Sequence, residues 1–286
     1  ETDTVCACTL DWEQRFRRMQ NHSGEHIVSG LVHNRFGFDN VGFHMGAETV
    51  TIDFNADIDW QEPHGLLKTR FPMDLFYNQA QFDIQYGNVT RATHKNTSWD
   101  VARFEVCAHK WADVDETGYG AAIMSDCKYG YSVDENDMAL TMLKSATDPD
   151  ETADIGKHIF SYALMPHTGD WKQADVPQRA YEFNIPLEAI ALSGTGTEEA
   201  MASFAGVDKS NAMIETVKGA LHGEGTIIRM YECKGARTNV TLTLGKTPNE
   251  AVYTSLMEDD LEKAPFEGNE LKLTMKPYEI VTIRVK

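Results

Sequence analysis

The sequence predicts a mainly β protein made of antiparallel β-sandwich sheets, with a short α+β segment at its N-terminal end. From Val50 onward apolar residues alternate with polar ones, the pattern of strands that bury one face. Clusters of Gly, Asn, Asp and Pro separate many short runs of this kind, which favours sandwiches over a parallel α/β sheet.

Taken in order, the elements begin with a helix. Trp12, Phe16, Met19, Ile27 and Leu31 recur at roughly three- and four-residue steps, which predicts an amphipathic helix near Asp11–Phe36 with Gly37 as its stop. The period shortens to two at Val50, Ile52 and Phe54. Further strands are expected at Phe82, Ile84 and Tyr86; at Phe160, Tyr162 and Leu164; and at Tyr181, Phe183 and Ile185. Val240, Leu242 and Leu244, then Val281, Ile283 and Val285, complete the set. The acidic, polar stretches Asp148–Asp154 and Ser193–Glu199 are expected to be loops.

With 286 residues the chain has room for one or two domains. Its 44 acidic and 26 basic residues give a formal charge of −18, a surface that repels phosphate backbones. Nucleic acid is therefore not expected as a partner of the whole chain. Arg15, Arg17 and Arg18 are read as a solvated helix face. No apolar run of about 18 residues predicts a membrane span, and no basic patch followed by an apolar core marks the first residues. The five cysteines form no regular framework and are read as thiols of a reducing compartment, so a cytoplasmic location is expected.

Several separated motifs carry a resemblance. FDIQYGNVTRATHKNTSWDVARFEVCAHKWAD at Phe82–Asp113 is followed in order by DCKYGY at Asp126–Tyr131, YALMPHTGDW at Tyr162–Trp171 and IETVKGA at Ile214–Ala220. RMYECKGAR at Arg229–Arg237 and MKPYEIVTIRV at Met275–Val285 come next. Together with IDWQEPHGLLKTRFPMD at Ile58–Asp74, these resemble the C-terminal β region of the family 38 glycoside hydrolases, the retaining α-mannosidases. Leu10–Ala56 instead resembles the alanyl-tRNA editing family, so the division expected is residues 1–56 and 57–286, with a seam near Thr51–Trp60.

The first resemblance implies a β-sandwich of the α-mannosidase C-terminal type and a part in mannoside hydrolysis. Retaining glycosidases need two carboxylates about 5–5.5 Å apart. Acids are too many here for the sequence to select a pair. The resemblance places the nucleophilic aspartate, the acid and the Zn²⁺ ligands in an N-terminal α/β domain with no counterpart in this sequence, so no catalytic residue is assigned and no turnover is expected from the chain alone. Its expected partners are mannosides or a mannosidase catalytic domain. The substrate-facing candidates are His94, Asn96, Trp99, Asp100 and Arg103: Trp99 can offer an apolar face to a sugar ring, while Asn96, Asp100 and Arg103 can bond hydroxyls. The competing structural reading is a buried Trp99 with an Asx-type turn pinning a loop. Ala92 and Lys95 stand where the family shows Pro and Trp.

The second resemblance points to zinc. His22 and His26, four residues apart, fall on one helix face beside Glu25 and could share an ion. The editing family completes the set with a Cys-x-x-x-His pair, and none of the five cysteines here has a histidine four residues later. His22 and His26 therefore form a half site for Zn, and the competing reading leaves them without metal. His44, in GFHMG, is expected in a hairpin turn. His109, Trp111 and His167 are read as hydrogen-bonded or packed structure. Three classes stand: the scaffold part of an α-mannosidase, a remnant of a zinc-dependent alanyl-tRNA editing hydrolase, and a non-catalytic carbohydrate-binding or interaction module.

Overall fold

The computed structural model describes residues 26, 42–45, 50–188, 190 and 203–286. Two compact units emerge, residues 1–81 with 91–176, and residues 82–90 with 177–286. The helix expected at Asp11–Phe36 lies outside the described residues apart from His26, which is helical. Ser193–Glu199 also lies outside them.

Up to residue 176 the strands are β1 Gly42–Met45, β2 Val50–Trp60, β3 Leu66–Pro72, β4 Gln79–Ile84 and β5 Gly87–Ala92, followed by the short helix α1 Ser98–Ala102. Then come β6 Val106–Cys107, β7 Trp111–Glu116, β8 Tyr119–Ser125, β9 Gly130–Asp134, β10 Asp137–Lys144 and β11 Gly156–Thr168. One sheet has the order β1-β2-β11-β8-β7-β4-β5 and a second the order β3-β10-β9-β6. Two runs found in the sequence pair with each other: Ile52 lies opposite Leu164, Phe54 opposite Tyr162 and Ala56 opposite Phe160. Phe54 stacks on Tyr162 with centroids 5.1 Å apart, and Phe71 of β3 reaches the same ring at 6.4 Å. Tyr162 thus packs the two sheets together, because alternation aims its ring at the core. The strand β2 runs unbroken through residue 56, where the two resemblances meet.

The second unit adds α2 Val176–Asn184 and then β12 Ala205–Val207, β13 Ala212–Gly219, β14 Thr226–Glu232, β15 Thr238–Leu244, β16 Ala251–Thr254, β17 Asp260–Lys263, β18 Glu270–Met275 and β19 Ile280–Val285. A sheet β12-β15-β18 and a sheet β13-β14-β19-β16-β17 enclose one core. Val240, Leu242 and Leu244 meet Ile228, Met230, Ile283 and Val285 there.

Three expectations are corrected. Tyr86, expected to extend the strand of Phe82 and Ile84, lies in the turn between β4 and β5 with a φ of 54°. Tyr181, Phe183 and Ile185 do not form a strand; Tyr181 and Phe183 belong to α2 and Ile185 follows it. Three apolar residues at two-residue steps are too few to fix a period, and the buried Val176 and Ala180 follow helical spacing. Arg179 and Glu182 add an ion pair across one turn at 2.8 Å. His44 is not in a turn but in β1, opposite Thr51.

Candidate functional site

The segment after β5 is built around a helix cap. Thr97 is the N-cap of α1, and its hydroxyl accepts the Asp100 N–H at 3.2 Å while Asp100 Oδ2 accepts the Thr97 N–H at 3.0 Å. This reciprocal capping box satisfies donors that a five-residue helix would otherwise leave to water. Hydrogen bonding from Thr97, then His94 and Arg103 nearby, hold the Asp100 carboxyl below the usual carboxylate range. His94 Nδ1 lies 3.9 Å from Asp100, and the Arg103 N–H closes the helix on the Asp100 carbonyl at 3.1 Å. His94, Asn96, Trp99 and Arg103 are exposed. Trp99 is 74% exposed, which corrects the buried alternative, and a capped helix stands where an Asx-type turn was expected. Asp100 is thus occupied as a cap, and Trp99 is the side chain offered outward.

A second arrangement, in the same unit, was not singled out from the sequence. Asp115, Gly120 and His167 form one row across β7, β8 and β11. Lacking a side chain, Gly120 leaves room for the His167 ring to lie across β8; a Cβ there would stand 2.4 Å from its Cε1. The ring reaches Asp113, two residues from Asp115 and on the same face of β7, with Nε2 2.8 Å from Oδ2. Both side chains are fully buried. Burial pushes the Asp113 carboxyl up to about 6, against the opposing pull of His167. Burial pulls His167 down, but the hydrogen bond and charge of Asp113, with the Thr168 backbone and the Asp115 charge, together raise it above its ordinary value. Asp115 is raised by burial and accepts the Trp171 N–H. Trp171 in turn packs on Trp111, centroids 5.5 Å apart.

With no solvent contact, Asp113 and His167 cannot touch a substrate; they hold a proton inside the sheet and position their neighbours. Asp115 borders a recess of about 730 Å³ that also includes Phe76, Glu116, Asp170 and Gln173. Among the described residues no group of three or more His, Cys, Asp or Glu is placed to hold a metal ion. His22 lies outside the described residues, and His26 is an exposed helical residue. The signals that could have exposed the buried pair were Asp113, an acid between the apolar residues Ala112 and Val114 of one strand, and the glycine at 120 inside β8.

Residues 41–152 match the glycosyl hydrolases family 38 C-terminal domain, and residues 211–283 match the family 38 C-terminal beta sandwich domain. Alpha-mannosidase 2C1 of Homo sapiens is 38% identical over 237 residues, covering 81% of this chain and 23% of that protein. The chain spans under a quarter of the length of such relatives. An alpha-mannosidase structure from Enterococcus faecalis shares the fold with a TM-score of 0.70 at 18% identity, over 83% of this chain and 28% of that one. The alanyl-tRNA editing protein AlaX-L of Pyrococcus horikoshii is 35% identical over 51 residues, or 18% of this chain.

Proposed function

Since the chain carries C-terminal domains of the family 38 glycosyl hydrolases and so belongs to that family, we propose that it is the β-sandwich part of an α-mannosidase-type enzyme. In this role it works with a catalytic domain of the family on mannosides and has no turnover by itself. Identity of 38% to an α-mannosidase across 81% of the chain carries the proposal. The outward Trp99 supports it: an exposed indole on a capped, preorganised segment suits the apolar face of a sugar at a groove shared with that domain. Asp100 acts there by fixing the segment, leaving direct sugar contact to His94, Asn96, Trp99 and Arg103. The exposed free thiols Cys107 and Cys127 suit a cytoplasmic location, and no helix among the described residues is long and apolar enough to cross a membrane.

Hydrolysis of an aryl α-mannoside by the purified chain, and by the chain joined to a family catalytic domain, tests this. No turnover is expected from the first, and turnover with a KM that rises on Trp99→Ala from the second. Activity of the chain alone, lost on mutation of one of its own carboxylates, would overturn the proposal.

The similarity to alanyl-tRNA editing proteins favours a second reading for the N-terminal segment alone. His22 and His26 provide two ligands where tight zinc sites use three or four, so the segment is proposed as an editing remnant with at most weak metal affinity. One zinc per purified chain, lost in His22→Ala or His26→Ala, would promote it to a working site.

A further inference from the structure

The second unit contains a cavity of about 480 Å³ beside α2, and its chemistry has no role in the sites above. Gln178, Tyr181, Glu182 and Ile185 line one wall. Their helical spacing puts them on a single face. The other wall runs from Gly206 to Ile214, through β12 and into β13, each the edge strand of its sheet. A sandwich that opens between two edge strands under a helix leaves a concave site of the size of small-ligand pockets, about 300–1,000 Å³.

The walls combine a fixed apolar surface with oriented acceptors. Tyr181 is half-buried and its hydroxyl bonds that of Tyr231, so its ring is held in place beside Val207 and Met213. On the helix side, Arg179 holds one oxygen of Glu182 at 2.8 Å and Gln178 donates to the other at 3.4 Å. Opposite, Asp208 accepts the Thr241 N–H at 2.7 Å and lies 3.4 Å from Lys209 Nζ. Each carboxylate is oriented before any ligand arrives and still has lone pairs to accept hydroxyl donors.

We propose that this cavity is a carbohydrate subsite, taking one or two pyranose rings of a mannoside. The C–H face of a sugar fits the Tyr181, Val207 and Met213 surface, and its vicinal hydroxyls fit the planar carboxylate and amide groups of Glu182, Asp208 and Gln178. The two cations beside these carboxylates, Arg179 and Lys209, are already paired with them, which disfavours phosphates and nucleotides. That the sugar is a mannoside rests on the function proposed above; the cavity chemistry does not.

Calorimetric and ligand-observed NMR titration of the whole chain with α-linked mannobiose tests the subsite, using a Gln178→Ala, Glu182→Ala double variant. Both positions are exposed on a helix, where alanine is well tolerated. Saturable binding is expected, weakened about tenfold or more in the double variant, with Leu261→Ala, an exposed position of β17 away from both sites, keeping the parental affinity. Absence of saturable binding, or an affinity unchanged in the double variant, overturns the subsite; loss of binding in Trp99→Ala alone does so while leaving the mannoside function standing. Maltose bound as well as mannobiose, with the double variant blocking both, overturns the mannoside assignment instead.

Discussion

Asp113 in the first unit and Glu232 in the second are both fully buried carboxyl groups on central parts of the fold, and they are accommodated in opposite ways. Glu232 sits in a cradle of fixed donors. Its Oε1 accepts Asn211 Nδ2 at 2.9 Å and the Lys234 N–H at 3.0 Å, and its Oε2 accepts the N–H groups of Gly235 at 2.8 Å and Tyr278 at 3.0 Å. Asp113 has instead an ionisable partner, His167, and an ionisable neighbour, Asp115. A charge held by other titratable groups makes the local fold depend on pH.

The sharpest way to break that comparison is Glu232→Ala, which removes the acceptor from three backbone donors and one amide at once. A loss on the order of 3–5 kcal/mol is expected, seen as a lower urea midpoint and faster hydrogen exchange in β13 and β14. A loss below about 1 kcal/mol would mean that water or neighbouring groups replace the carboxylate readily.

Next in size is His167→Gln, expected to cost about 2–4 kcal/mol by leaving Asp113 buried with a weaker partner. It also tests the pH dependence. Asp113 is raised from 3.8 to about 6, and His167 is raised above 6.5. Both therefore bind protons more tightly folded than unfolded, so their stabilisation is complete at low pH, is lost between 3.8 and about 6 for Asp113, and falls further as pH rises from 6.5 through the raised value of His167. The exposed carboxylates with lowered values, such as Asp150 and Asp208, act in the opposite sense only near their own low range. Thermal melts followed by Trp111 and Trp171 fluorescence should thus give a higher Tm for the first unit at mildly acidic than at mildly alkaline pH. His167→Gln should flatten the slope. A Tm rising with pH would refute the assignment.

Gly120→Ala should cost somewhat less, about 1–3 kcal/mol. The new methyl group would meet His167 Cε1 at 2.4 Å and Asp115 Cβ at 2.9 Å, so the ring must tilt away from Asp113. The same melts should show a reduced pH slope together with the lower Tm. An unchanged slope would separate ring position from proton binding.

These contrasts also show which parts of the molecule its sequence made legible. Alternation along Val50–Phe54, Phe160–Leu164, Val240–Leu244 and Val281–Val285 was readable because each run has a half-polar pattern set by one buried face, and the first two became partners. The five-residue pattern at Tyr181–Ile185 was ambiguous between periods, and packing of Val176 and Ala180 decided for helix. The helix Ser98–Ala102 and the capping box of Thr97 and Asp100 were not read, because so short a helix has no apolar period and its residues suggested only an Asx-type turn. Nor was the pairing of Asp113 with His167, since 54 residues separate them and only the register of β7, β8 and β11 brings them together. Glu232 was hidden for the same reason: its donors come from residues 211, 234, 235 and 278.

The smallest expected effect belongs to Trp99, and its smallness is informative. α1 buries none of its residues, and its geometry is fixed by Thr97 and Asp100 rather than by packing. Thr97→Ala should therefore loosen the segment, with about 1 kcal/mol lost from the helix cap, whereas Trp99→Ala should change global stability by no more than about 0.5 kcal/mol. Side chains kept for the core behave in the reverse way, since removing Trp111, 1% exposed, would open a large cavity. A large exposed indole that contributes nothing to folding is free to serve recognition. The two variants are compared by urea denaturation and by KM for an aryl α-mannoside once a family catalytic domain is joined to the chain. Trp99→Ala is expected to raise KM with stability unchanged, and Thr97→Ala to raise it through the disordered cap. If Trp99→Ala instead lowers stability by more than about 1 kcal/mol, the indole packs in solution and the recognition role passes to His94, Asn96 and Arg103.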